Sequence, residues 1–363
     1  MTSITKRTTA FCEKHQLSVP ILLAPMAGAC PPGLSIAVAN AGGAGACGAL
    51  MLSPAQIGEW AAAVRAQSDG PFQINLWIPD PVPVRDPATE AEVAGFLNTW
   101  GPPVAVDAGS ATPPDFAAQC DALLAASPRI ASSIMGLFPA EMVSRLKARG
   151  IAWFATATTV AEAVAAKQAG ADAIVAQGME AGGHRGCFDA AAAEAYQVGL
   201  FALLPAVVDA VRIPVVATGA IADARGIAAA LMLGASAVQI GSGFLRSSEA
   251  QIHPAWADAL AAVRPEDTVL TRAFSGRAGR SIETAYVRAA AGADAPKPRP
   301  YPIQRGLSAG MRAEALQKGD VQRMQVWAGQ ASGLARAAPA GEIVASLWSE
   351  AQGLLGFGRG GRL

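Results

Sequence analysis

The chain has 363 residues with 28 basic and 28 acidic side chains, so its formal net charge is zero. Hydrophobic residues make up 52% of it and charged residues 15%, a composition that can bury a large core. Nothing in this balance suggests a nucleic-acid partner or an anionic membrane surface, and we find no apolar run long enough to span a bilayer. The polar N-terminus lacks the apolar core of a signal peptide, so we expect a cytoplasmic protein.

Cysteine usage argues against a metal centre and against a disulfide framework. The five cysteines are scattered and form no C-x-x-C pair, so we predict no metal site. Cys187 lies close to His184 in sequence and could be mistaken for a nucleophile. A small buried thiol is the better interpretation.

Short apolar runs punctuated by glycine and proline predict eight strands. Their predicted ranges are 20–26, 44–50, 72–78, 130–135, 151–156, 173–176, 214–218 and 237–240. Helices are predicted between them. Residues 1–19 form a lead-in helix or arm, and further helices cover 33–41, 88–99, 114–126, 139–149, 159–170, 196–211 and 223–234. Ser53 and Thr159 each begin a capping box, and Asp223 is a third predicted cap.

Strand and helix thus alternate eight times over residues 20–245, although 79–129 forms a long proline-rich insert. The count and length favour an α/β fold of the (β/α)₈ TIM barrel type, for which about 250 residues is typical. A doubly wound open sheet is the alternative. We predict a barrel over 1–245 and a C-terminal helical extension over 246–363. Its helices are predicted at 307–318, 320–336 and 340–354, and a frayed tail at 356–363.

One glycine pattern imitates a dinucleotide-binding motif. Residues 43–48 read Gly-Ala-Gly-Ala-Cys-Gly and fit G-x-G-x-x-G. The pattern follows a helix and enters a strand, which is the reverse of the order that such a motif requires. We interpret it as a helix stop followed by a closely packed strand.

The chemistry of a barrel lies where its strands end. After the sixth strand comes Gly182-Gly183-His184, a glycine turn that presents one of only three histidines. The loops after the seventh and eighth strands contain Gly219-Ala220 and Gly241-Ser242. Backbone N–H groups in these two loops are a common phosphate site, so they favour a phosphorylated cofactor. The alternatives are ordinary glycine turns and a histidine that only makes a hydrogen bond across its loop.

Taken together, these segments resemble the FMN-dependent nitronate monooxygenases, formerly called 2-nitropropane dioxygenases. The resemblance runs from residue 20 to about 330 and is most specific in the glycine–histidine loop. It rests on the segments 24–26 (Ala-Pro-Met), Asn75, 177–186, 217–219 (Ala-Thr-Gly), 239–242 (Gln-Ile-Gly-Ser) and 327–330 (Trp-Ala-Gly-Gln). It implies a non-covalently held FMN and the oxidation of alkyl nitronates by O₂ to a carbonyl compound and nitrite, with neutral nitroalkanes as a second candidate substrate class.

The resemblance also implies roles for individual residues. His184 would be catalytic, either binding the nitronate oxyanion or acting as a base on a neutral nitroalkane. The implied FMN contacts are Ala24, Pro25 and Met26 against the ring, Asn75, Thr156 and Gln177 as hydrogen-bond partners, Gly182 and Gly183 beside the cofactor, and Gly219, Ala220, Gln239, Gly241 and Ser242 around the phosphate end. Gln73 and Thr156 depart from the family pattern.

A second family remains open. The enoyl-acyl-carrier-protein reductase II enzymes and related flavin quinone reductases have a similar Glu-Ala-Gly-Gly-His loop, which would make this chain an NAD(P)H-driven FMN reductase. The Trp-Ala-Gly-Gln segment at 327–330 resembles the monooxygenases more closely. A barrel that binds a phosphorylated ligand without chemistry is a third possibility. We expect a monomer or a homodimer.

Overall fold

The computed structural model of the protein describes residues 3–356, and its centre is a sheet of eight parallel strands. These strands are the eight predicted from sequence, and the two-residue strand β7 (Gly183–His184) is an addition that belongs to another sheet. The strands of the central sheet are β1 (Ile21–Leu23), β2 (Gly45–Gly48), β3 (Phe72–Trp77), β4 (Ile130–Ile134), β5 (Ala152–Ala157), β6 (Ala173–Gln177), β8 (Val215–Thr218) and β9 (Ala237–Ile240).

The sheet closes on itself. Its strand order is β1-β9-β8-β6-β5-β4-β3-β2, and a parallel bridge between Leu22 and Ala44 joins the two ends. The Leu23 N–H donates to the Ala44 carbonyl at 2.9 Å across this seam. Closure leaves no free edge, so the prediction of a barrel is confirmed and the open sheet is excluded.

The barrel interior is filled by apolar side chains from the strands, including Leu22, Ile130, Phe154 and Val216, all of which are fully buried. Phe11, from the N-terminal helix, packs into the same cluster. The lead-in segment therefore closes the end of the barrel opposite the strand C-termini, and the strand C-termini are the end where a barrel binds its ligands.

Helices surround the barrel, as the strand–helix alternation predicts. They are α1 (Ser3–His15), α2 (Pro32–Asn40), α3 (Pro54–Arg65), α4 (Pro87–Leu97), α5 (Phe116–Ala126), α6 (Ala140–Ala148), α7 (Val160–Gln168), α8 (Leu200–Val211), α9 (Ala224–Met232), α10 (Pro254–Ala262), α11 (Ala285–Ala290), α12 (Ile303–Leu307), α13 (Ala309–Lys318) and α14 (Ala340–Leu354). The predicted caps are confirmed, because Ser53 and Thr159 form capping boxes and the Asp223 side chain accepts from the Gly226 N–H.

A second, three-stranded sheet lies beside the barrel. Its order is β10 (Thr268–Thr271), β11 (Gly279–Ile282), β7 (Gly183–His184), with antiparallel pairing throughout. The C-terminal part also returns to the barrel, since Val344 and Leu347 of α14 belong to the main hydrophobic core. The division into ranges 1–245 and 246–363 stays a prediction.

The predicted helix over 320–336 is wrong. This segment is a run of turns with one short 3₁₀ turn at Ser332–Leu334. Its internal backbone bonds are those of single turns, and some of its N–H groups bond to distant segments: the Gly329 N–H donates to Ser242 Oγ and the Gln330 N–H donates to the Glu180 carbonyl. These long-range bonds hold the middle of the segment in a non-helical path. Of the predicted tail, residues 357–363 lie outside the described residues.

The glycine pattern at 43–48 packs as a strand start, as we interpreted it. A Cβ on Gly48 would lie 2.6 Å from the Ala27 nitrogen, and one on Gly45 would lie 2.8 Å from the Ser35 side chain. Close packing against neighbouring backbone explains these glycines without a nucleotide. Among residues 3–356, no helix is long and apolar enough to cross a membrane.

Candidate active site

A cavity of about 770 Å³ opens where the barrel strands end. Its volume lies within the range of small-molecule and cofactor pockets. All of the predicted site residues line this one cavity, although they come from the ends of six different barrel strands and the loops that follow them. They are Ala24, Pro25, Met26, Asn75, Thr156, Gln177, Gly182, Gly183, His184, Gly219, Ala220, Gln239, Gly241 and Ser242.

One end of the cavity is suited to an anion. After β8 the chain turns through Gly219 (φ +118°) and Ala220 (φ +51°), a left-handed conformation that is costly for alanine. Within the described residues, no acceptor takes a hydrogen bond from the N–H groups of Ala220, Ile221 and Ala222. Unpaired N–H groups just before α9 form a concave site for phosphate.

The loop after β9 completes that end. Gly241 packs closely, since a Cβ there would lie 3.3 Å from the Ala24 Cβ. The Ser242 hydroxyl accepts from the Gly329 N–H at 3.1 Å, which leaves its own proton free for a ligand. A phosphorylated ligand thus fits the residues present on both loops.

Polar groups of the barrel strands form the floor of the cavity. Gln73 Nε2 donates to Gln239 Oε1 at 3.0 Å. Gln73, which departs from the family pattern, therefore fixes the orientation of the Gln239 amide, a predicted FMN contact. Asn75 Nδ2 donates to Ser132 Oγ at 3.0 Å. These bonds leave the Gln239 amide nitrogen and the Asn75 carbonyl oxygen without partners among the described residues. Both are available to a polar ring.

The side-chain amide of Gln177 makes two hydrogen bonds within the glycine–histidine loop. Its Nε2 donates to the His184 carbonyl at 3.1 Å and its Oε1 accepts from the Gly186 N–H at 2.8 Å. Both ends of the amide therefore hold the glycine–histidine loop. Its predicted contact with the flavin stays a prediction, and the bonds observed here position His184.

His184 itself lies on β7, which the sequence suggested was loop. β7 pairs with β11, with His184 opposite Gly279. Behind it, a Cβ on Gly182 would lie 2.5 Å from the Gly329 nitrogen, so two backbones meet there without side chains. Strand pairing and this close contact fix the histidine over the mouth of the barrel.

Two tryptophans and a serine surround the imidazole. The ring centroids of Trp77 and Trp327 lie 4.8 and 5.0 Å from that of His184. His184 Nε2 lies 2.8 Å from Ser275 Oγ. The Ser275 hydroxyl donates its only proton to the Arg277 carbonyl at 3.2 Å, so it accepts at Nε2.

One tautomer of His184 satisfies both contacts of Ser275. With the proton on Nε2, the imidazole donates to Ser275 Oγ, and Nδ1 keeps its lone pair, with no hydrogen-bond partner among residues 3–356. Burial, and after it the positive charges of Arg305, Arg277 and Arg312, lower the pKa of His184 to about 3. The imidazole is therefore neutral at physiological pH, with an unshared lone pair available at the cavity.

Sequence reasoning missed several residues of this site. Trp77 could have been found, because it follows Asn75 by two residues on one strand and so shares its face. Ser275 is 91 residues from His184 along the chain. No local pattern connects it, or Arg305 and Arg312 on the C-terminal helices, to the cavity.

Comparison with known proteins agrees with this geometry. Residues 8–350 match the family model described as nitronate monooxygenase. A nitronate monooxygenase of Paraburkholderia phytofirmans is 39% identical over 343 residues, which cover 91% of this chain and 92% of that protein. A probable nitronate monooxygenase of Staphylococcus aureus is 34% identical, with 91% of this chain and 94% of that protein covered.

Two solved structures are similar along nearly their whole length. Nitroalkane oxidase from Streptomyces ansochromogenes has a TM-score of 0.84 and 34% identity, covering 95% of this chain and 99% of its own. FabK from Thermotoga maritima has a TM-score of 0.75 and 26% identity, covering 96% and 97%. The family model and the relatives at 34 to 39% identity agree with each other. The chain therefore belongs to the nitronate monooxygenases, flavin-dependent oxidoreductases that oxidise nitronates.

Proposed function

We propose that the flavin of this enzyme is FMN, with its phosphate on the loops after β8 and β9. The unpaired N–H groups of Ala220 to Ala222 and the free hydroxyl proton of Ser242 support this placement. Helix α9 begins directly after the first loop, and the positive end of its dipole favours an anion. FMN has such a phosphate at the end of its ribityl chain.

The ring of the cofactor would then lie towards 24–26, with the Gln239 amide and the Asn75 carbonyl oxygen as its polar partners. Thr156 lines the same region of the cavity and would be a third. When bound, FMN supplies the acceptor for the electrons of the nitronate and passes them to O₂. The protein residues supply orientation, exclusion of water and the placement of charge.

His184 would act on the substrate through Nδ1. Trp77 and Trp327 limit the rotation of its ring, and Ser275 holds the tautomer that leaves Nδ1 free. That atom can take the proton from the carbon of a neutral nitroalkane. A nitronate has already lost this proton and needs no base. An imidazole with its pKa far below neutrality is a weak base, so we expect nitronates to be the better substrates.

The single observation that carries this proposal is the free Nδ1 of His184, held between two tryptophans in the cavity with the phosphate loops. It is tested with the His184→Asn variant, assayed with a neutral nitroalkane and with its nitronate. We expect turnover per bound flavin to fall about 100-fold on the nitroalkane, which is the low end for a positioned base, and less on the nitronate. Flavin content should stay close to that of the wild type.

Asp115→Asn is the control. Asp115 Oδ1 accepts from the N–H groups of Ala117 and Ala118 at the start of α5, asparagine is an equally good N-cap, and Asp115 does not line the cavity. Its turnover should match the wild type. If His184→Asn instead retains full turnover per flavin, or loses its flavin first, then His184 is a structural residue and the assignment fails.

The similarity to FabK makes an NAD(P)H-dependent reductase the second candidate. No dinucleotide motif of the required strand–turn–helix order supports it, because the glycines at 43–48 connect α2 to β2. Reduction of the bound flavin by NADH or NADPH, with a nitronate inert, would establish that function instead.

A further inference from the structure

Two arginines line the active-site cavity without an acidic partner. Arg305 lies on α12 and Arg312 on α13. Within residues 3–356, neither forms an ion pair with aspartate or glutamate, and no aspartate or glutamate lines the cavity. Uncompensated positive charge is costly where water is limited, so a pair of this kind calls for an explanation.

The two guanidinium groups differ in what holds them. Arg312 donates to three neutral oxygens: Ser308 Oγ at 3.0 Å, Gln325 Oε1 at 3.1 Å and the Arg305 carbonyl at 2.9 Å. Burial lowers the pKa of Arg312 to about 10, so it stays charged at neutral pH. The Arg305 guanidinium has no hydrogen-bond partner among the described residues. Arg312 is thus a fixed charge, and Arg305 is free to contact a ligand.

Their charges act on the reacting end of the cavity. Arg305 and Arg312 are two of the three cations that lower the pKa of His184. Arg277, the third, is neutralised by Asp80, since its Nε lies 2.8 Å from Asp80 Oδ2. The phosphate loops after β8 and β9 have their own N–H donors. The charge of Arg305 and Arg312 therefore remains for the substrate.

We propose that Arg305 and Arg312 form the subsite that binds the negative charge of the nitronate. Arg305 makes the direct contact, and Arg312 supplies a fixed field and holds the Arg305 backbone. A planar guanidinium matches a planar O–N–O group with two parallel hydrogen bonds. Neutral His184 supplies no counter-charge, so the arginines decide that the anion binds in preference to the neutral nitroalkane. This inference rests on the proposed function.

Arg305→Gln tests it in the flavin-loaded enzyme. KM for a nitronate should rise roughly 10- to 100-fold, which is what one charge-assisted hydrogen bond contributes, while KM for a neutral nitroalkane changes little. Arg305→Lys keeps the charge and should recover part of the affinity. Arg145→Gln is the control, because it removes an exposed arginine that pairs with Asp121 on the outside of the barrel.

A binding measurement separates this inference from the proposed function. Nitrate has the same planar O–N–O group and can be titrated calorimetrically into the protein without turnover. We expect binding to the wild type and to Arg145→Gln, and a loss of roughly 10-fold or more in Arg305→Gln. Nitrate binding with no nitronate turnover would retain the anion subsite and refute the function. Unchanged nitrate affinity and nitronate KM, or loss of FMN from Arg305→Gln, would overturn the subsite.

Discussion

Replacing Ser275 with alanine should impair turnover by releasing the imidazole of His184. The Ser275 hydroxyl makes two hydrogen bonds, at 2.8 Å to His184 Nε2 and at 3.2 Å to the Arg277 carbonyl, and the residue is 1% exposed. Removing it leaves a buried N–H and a buried carbonyl without partners, which costs about 1–3 kcal/mol. If this free energy is lost from the interaction that orients the His184 ring for reaction, kcat drops about 10- to 100-fold, because each 1.36 kcal/mol added to the barrier slows the reaction tenfold.

The assay is steady-state turnover of a nitronate, divided by the flavin content of each preparation, beside the free energy of unfolding. Ser35→Ala is the control, because Ser35 is fully buried and its hydroxyl also makes two hydrogen bonds, both to Ala46 and both remote from the cavity. We expect equal losses of stability and a loss of turnover in Ser275→Ala alone. Equal turnover in the two variants would refute a positioning role for Ser275.

Two further outcomes follow from buried groups. His15 lies between aromatic rings with neither nitrogen partnered in the described chain, and burial lowers its pKa to about 4. The pKa of His15 is lower in the folded state than the unfolded value of 6.5. The folded state therefore keeps its full stability above pH 6.5, where the imidazole is neutral in both states, and loses free energy of unfolding as the pH falls towards 4. Relative to His15→Leu, the wild type should lose about 2 kcal/mol of unfolding free energy between pH 7.5 and 5, and parallel pH profiles would contradict this. Gly182→Ala should lower turnover and flavin content, because its Cβ would meet the Gly329 nitrogen at 2.5 Å, whereas Gly353→Ala, which has open space, should do neither.

The barrel could be predicted because its signals are local. Each strand is a short apolar run between glycine or proline residues, and caps such as Ser53 and Thr159 identify the starts of helices within four residues of sequence. The strand ends of a barrel all point to one face. Polar residues such as Asn75 and Gln239 could therefore be assigned to one cavity before their contacts were known.

The parts that could not be predicted depend on contacts between distant segments. β7 exists only because residues 183–184 pair with 279–280, and the 320–336 segment is a run of turns in which Gly329 and Gln330 bond to the distant residues Ser242 and Glu180. The tautomer of His184 depends on Ser275, and its lowered pKa depends on burial and on arginines from the C-terminal helices. None of these partners lies within the range of a sequence motif.

The central claim, that the cavity oxidises nitronates through a bound flavin, is tested most directly by anaerobic reduction of the purified, FMN-loaded protein. Nitronate or NADH is mixed with it in separate experiments, and the flavin absorbance is followed with time. We predict that the nitronate bleaches the flavin rapidly and that NADH does so poorly, with colour returning when O₂ is admitted. Rapid bleaching by NADH, with the nitronate inert, would contradict the account.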